Sequence, residues 1–96
     1  MNKTHLRSAL TEYVSVLESS LDDTHQAEDR SRYRDHLAAA ARMFIAIEKH
    51  DSINKLKQLV ATEHRSYGWD YLAGDSGDRA ESAFNQFANI VESIIE

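Results

Sequence analysis

Five histidines, sixteen acidic side chains and no cysteine define the chemistry open to this 96-residue chain. Without a thiol there is no disulfide framework, thiolate zinc site or cysteine nucleophile. A carboxylate-bridged metal pair inside a helical bundle needs inward glutamates and two Glu-x-x-His pairs. No Glu-x-x-His occurs. Asp22-x-x-His25 comes nearest, and His25 stands three residues before Glu28. These groups sit where a helical pattern breaks, so capping and solvation account for them better than a metal does. No metal or other cofactor is expected.

Acid–base chemistry could gather around His64, which lies between Glu63 and Arg65-Ser66. On a helix, however, adjacent residues do not face each other. His64 also falls on an apolar stripe, where a satisfied core or interface histidine is the expected outcome. None of the serines stands in a Gly-x-Ser-x-Gly elbow. No catalytic residue is expected, and the chain reads as a non-enzyme.

Arg30-Ser31-Arg32-Tyr33-Arg34 interleaves basic groups with an aromatic, as nucleic-acid surfaces can. Glu28 and Arg32 have the favourable i, i+4 order for a helical ion pair, and Tyr33 belongs to a core stripe. Only Arg30 and Arg34 are left to share a face toward a phosphate. A net charge of -5 disfavours nucleic acid as a partner.

The segment His64–Leu72 carries Tyr67, Trp69 and Tyr71 within five residues. If a helix continues through Gly68, Tyr67 and Tyr71 follow the stripe of Ile53 and Val60, and Trp69 points away from it. Trp69 is then an interface residue. If the helix ends at Gly68, Trp69 folds over the end of the bundle instead. A ligand cleft formed by His64, Tyr67, Trp69 and Tyr71 is the alternative functional reading.

The elements that must position these residues are all helical. There is no Pro, and the three Gly lie between 68 and 77. A first helix over about 2–21 puts Leu6, Leu10, Tyr13, Val14, Leu17 and Leu21 on one stripe. A second over about 24–49 starts with Asp23 or Thr24 as cap, and its stripe is Tyr33, Leu37, Ala40, Phe44 and Ile47. Between Leu37 and Ile47 it is apolar nearly all round, which predicts a central helix touching two neighbours or another subunit. A third from about 52 carries Ile53, Leu56, Val60 and His64 and ends near Tyr67 or at Ala73. Gly74-Asp75-Ser76-Gly77 reads as a turn. Asp78 and Glu81 form a capping box for a fourth helix with Ala80, Phe84, Phe87, Val91, Ile94 and Ile95 inside.

The expected fold is therefore all-α, a small antiparallel up-down-up-down bundle of about four helices forming one domain over 1–96. Lys3 and Arg7 are followed by Glu12 before any unbroken apolar stretch, so no secretory segment is expected. The run Leu37–Ile47, interrupted by Arg42, is too short for a membrane span. A cytoplasmic location is expected. The leading functional expectation is a protein–protein interaction or accessory module that self-associates, as a dimer or with a protein partner. Its candidate surfaces are the Ala38, Arg42, Ile45 and Ala46 face and the Tyr67–Tyr71 segment. In size and acidity alone the chain is comparable with immunity-like and antitoxin-like bundles, whose partners are basic; no motif carries that comparison.

Protonation of all five histidines would bring the formal charge from -5 to zero, and the sequence pI is about 5.5. Solubility should therefore pass through a minimum in mildly acidic buffer. Turbidity across a pH series checks this, and undiminished solubility near the pI would refute it.

Overall fold

Spacing by three and four residues selects what each helix buries. In the computed structural model, α1 (Lys3–Asp23) turns Leu6, Leu10, Tyr13, Leu17 and Ser20 inward. From α2 (Ala27–Glu48) come Tyr33, His36, Ala40, Met43, Ala46 and Ile47. From α3 (Ile53–Trp69) come Ile53, Leu56, Val60 and Glu63, and from α4 (Gly74–Glu92) Ala80, Ala83, Phe84, Phe87, Ala88 and Val91. The structure describes the backbone of residues 3–49, 53–69 and 74–94, and their side chains except at 66–69 and 74–77.

Each helix packs on the next in sequence, and α4 returns to α1, closing a square whose diagonal pairs do not meet through their backbones. Polar contacts fix the directions within two of the pairs, and the α2–α3 seam, which sets His36 by Glu63 and Ala46 by Lys55, fixes a third. Arg7, near the start of α1, forms a two-pronged ion pair with Glu48 at the end of α2, one prong being Nη2 to Oε2 at 3.0 Å. Lys57, in the second turn of α3, donates through Nζ to the Ile94 carbonyl just beyond α4 at 2.9 Å. Neighbours therefore run antiparallel. The described residues form an all-α, up-down-up-down four-helix bundle measuring 41 × 23 × 19 Å.

Several local expectations are corrected. Asp22 and Asp23 belong to α1, and α2 begins later, with extended Gln26 as its cap and no side-chain cap bond. Thr24 does not cap α2. Its hydroxyl donates back to the Ser20 carbonyl at 2.6 Å, and Arg30 Nη1 donates to the Leu21 and Thr24 carbonyls, each at 2.9 Å. A cation on the carbonyl end of α1 satisfies acceptors that have no intrahelical donor. The segment 74–77 is helical, not a turn, so Asp78 lies inside α4 and cannot be its N-cap. A square bundle also leaves no helix central: α2 touches α1 and α3, as every helix touches two. On α2 the inward stripe is rotated from the expected one, with His36, Met43 and Ala46 inside and Leu37 and Phe44 only partly buried. The expected caps Asp51 and Ser52 lie outside the described residues, as does Ile95.

Tyr33 is 3% exposed. Burial, reinforced by the Asp29 carboxylate, pushes its phenol above the ordinary value of 10.0, while Ser20 and Arg79 act the other way. The fold therefore holds the neutral phenol. Its contribution is complete below the unfolded value and is lost as pH rises toward the folded one, because the unfolded chain releases the proton first. Between about pH 9 and 11, urea midpoints should fall further for the wild type than for Tyr33→Phe. Equal falls would show that the phenol titrates alike in both states.

Candidate functional site

Three ionisable or hydroxyl side chains from three helices meet inside the bundle. Glu63 is 3% exposed, and each of its carboxylate oxygens has a different partner. The Tyr13 hydroxyl on α1 donates to Oε2 at 2.9 Å. His36 Nδ1 on α2 lies 2.9 Å from Oε1, and its side chain is 2% exposed. An ionised carboxylate only accepts, so Nδ1 is the protonated ring nitrogen when Glu63 carries its charge. From α4, the Phe84 ring packs on Tyr13 with centroids 5.4 Å apart and a tilt of 51°. All four helices thus contribute to this layer. A buried carboxylate costs several kcal/mol unless hydrogen bonds answer it; here two do.

A histidine oriented by a carboxylate is one component of acid–base sites. This pair lines a cleft of about 220 Å³ on the α2–α3 seam, together with Asp35, Ala39, Arg42, Met43, Leu59 and Thr62. A second, more apolar cleft of about 160 Å³ lies along the same seam, between Arg42, Ile45, Ala46, Lys55 and Leu59. Arg42 and Leu59 wall both. Among the described residues no group of three or more His, Asp or Glu side chains could hold a metal ion. No helix among them is long and apolar enough to cross a membrane.

Of the sequence-predicted residues, Arg42 and Ile45 are both exposed and share the second cleft. Ala46, expected on that outer face, is 3% exposed and belongs to the core. His64 is also corrected: it is exposed at the bundle surface, with its ring edge-on to Phe84 at 5.9 Å. Glu63 takes the inward position instead, because it stands three residues after Val60 and seven after Leu56. The backbone is helical through Gly68 to Trp69. The side chains of Tyr67 and Trp69, and Tyr71 altogether, lie outside the described residues, so the aromatic cluster is not placed.

The basic run 30–34 is largely engaged within the chain. Arg30 closes the end of α1, and Arg32 bonds Glu28 at 2.8 Å and Asp29 at 3.4 Å. The expected Glu28–Arg32 pair therefore forms. His36 and Tyr13 do not stand out in the sequence as site residues, because apolar stripes mask inward polar groups. From Tyr33 to Ala40 a count of threes and fours passes through His36 or Leu37 equally well, so spacing alone does not find His36.

No family model matches this chain, and no curated protein or solved structure matches it either. Fold and site define a class, a small all-α bundle with a buried polar layer. Its function has to be read from its own geometry.

Removing Glu63 strands two buried donors. Glu63→Ala should cost about 3–5 kcal/mol, and Tyr13→Phe about 1.5–3 kcal/mol. Replacing the whole layer (Tyr13→Phe, His36→Leu and Glu63→Leu together) should leave stability near or above the wild type. Urea titration measures all three, and a Glu63→Ala loss below about 1 kcal/mol would show that the layer contributes little.

Proposed function

We propose that this protein is a non-enzymatic protein–protein interaction module that docks through the outward face of α2 and the adjoining α2–α3 groove. One observation carries the reading. Ile45, at 51% exposure, is the only exposed large hydrophobic side chain among the described residues, and it borders an apolar groove. A lone exposed isoleucine would need no explanation. Here Ala46 and Leu59 extend its apolar surface, Ala38 and Ala41 lie exposed beside it, and Arg42 stands at the rim. An apolar centre with an arginine at its edge is the composition of a protein interface. The local charge at this rim is basic, from Arg42 and Lys55, although the chain as a whole is acidic. Asp35 and Glu48 are exposed on the same side of α2, so a partner with charges of both signs around an apolar anchor fits this face. A cytoplasmic setting accords with this reading.

A second reading is supported by the cleft beside His36 and Glu63, where buried ionisable groups border a space large enough for a small ligand. It moves the alternative site from the His64–Tyr71 segment to α2 and α3. The interaction reading is preferred because both oxygens of Glu63 already hold helices together.

Ile45→Asp tests the preferred reading. The side chain lies outside the core, so stability should change by no more than about 0.5 kcal/mol. Association, followed by native mass spectrometry over a concentration series, should weaken about tenfold or more. An association that Ile45→Asp leaves intact would place the interface elsewhere.

A further inference from the structure

The proposed docking face has an order of charges that identifies its occupant. We infer that the face is covered by a second copy of this chain, with the two α2 helices antiparallel about a two-fold axis at Ala41. This inference rests on the interaction reading above.

The exposed residues of α2 between 34 and 48, with Lys49 just beyond its end, are Arg34, Asp35, Ala38, Ala41, Arg42, Ile45 and Glu48. Arg34, Ala38, Ala41, Ile45 and Glu48 follow steps of four, three, four and three, the spacing of a helix–helix seam. It is a second seam on the same helix, opposite the one already buried in the bundle. Its middle is small and apolar and its ends are charged with opposite sign.

Turning another α2 end for end about Ala41 makes this pattern complementary to itself. Arg34 then stands opposite the partner's Glu48, and Glu48 opposite the partner's Arg34. The partner's Ile45 comes within one position of the point opposite Ala38, so each isoleucine is covered by a small side chain that leaves room for it. On the flank toward α3, Asp35 reaches diagonally to the partner's Lys49, two positions beyond the residue directly opposite it. A parallel pairing would instead set Arg34 beside the partner's Arg34 and Glu48 beside the partner's Glu48. Charge order therefore selects the antiparallel arrangement. Glu48 is already held by Arg7 of its own chain, and the partner's Arg34 joins that pair from the other side.

The like-charge contact in this register is Arg42 with the partner's Arg42, near the axis on that same flank toward α3. Long side chains can diverge there, but the repulsion is a cost of the arrangement. A single helix pair also lies at the low end of interface sizes, below about 1,200 Å². Both features describe a weak, reversible dimer.

Because the chain has no cysteine, a single Ala41→Cys substitution reads the register directly. A residue on a two-fold axis meets its own copy, so mild oxidation with copper–phenanthroline should give a disulfide-linked dimer. Ser15→Cys, exposed on α1, should remain monomeric. Asp35→Lys should weaken association about tenfold, and adding Lys49→Asp should restore it. Arg42→Gln should tighten it. All these positions are exposed, and thermal melts of each variant verify the fold. A dimer in which the Ala41→Cys variant does not cross-link would overturn the register while leaving Ile45 as an interface residue. A monomer at every concentration up to about 1 mM would overturn the second copy as occupant. The docking face itself then fails only if Ile45→Asp also leaves binding of a heterologous partner unchanged.

Discussion

A carboxylate in the middle of a four-helix core has to be answered from the neighbouring helices, and Glu63 is answered from two of them. Tyr13 reaches it diagonally across the bundle, where the α1 and α3 backbones do not meet, and His36 reaches it from the adjacent α2. Hydrophobic burial supplies most of the drive to fold, but it is indifferent to small slides of one apolar stripe on another. The polar layer is not. Sliding α2 or α1 by one turn, about 5.4 Å, would leave the charge in an apolar interior without those donors. The layer thereby ties three helices to a single register, and Phe84, packed on Tyr13, brings the fourth into it.

The ends of the helices follow from the absence of proline and the scarcity of glycine. A helix that does not end in a glycine cap must have its last carbonyls satisfied by something else. Arg30 does this for α1 across a short connection, and Lys57 bonds a carbonyl two residues beyond the end of α4 from a different helix. Cations placed at carbonyl ends also suit the helix dipole. Arg30 and Lys57 are thus committed to the fold. The external Arg7–Glu48 pair is exposed and adds little stability of its own, but it marks which ends lie together.

The docking face we propose is one that the fold itself does not use. On α2 the buried Ala40, Met43, Ala46 and Ile47 and the exposed Ala38, Ala41 and Ile45 share one helix, which accounts for the apolar density of Leu37–Ile47. That density was legible in the sequence, and so were Ile45 and Arg42 as outward residues. The assignment of Ala46 to the same face was not, because at 100° per residue a small error in the stripe's direction carries an alanine from one side of the helix to the other. The same rotation put His64 inward in place of Glu63.

The helices, their number, their antiparallel order and most of the buried apolar residues can be read along the chain, since periodicity and short connections are local properties. The sequence by itself also determined the net acidity and the exclusion of thiol chemistry. Only the tertiary structure decided that Tyr13, His36 and Glu63, separated by 23 and 27 positions along the chain, share one layer. It alone placed Arg30 on the end of α1 and opened the clefts along the α2–α3 seam. The physical reason is the range of the interactions. A stripe is written in each helix separately, whereas the partner of a buried polar group is set by the register between helices, which exists only once they have packed.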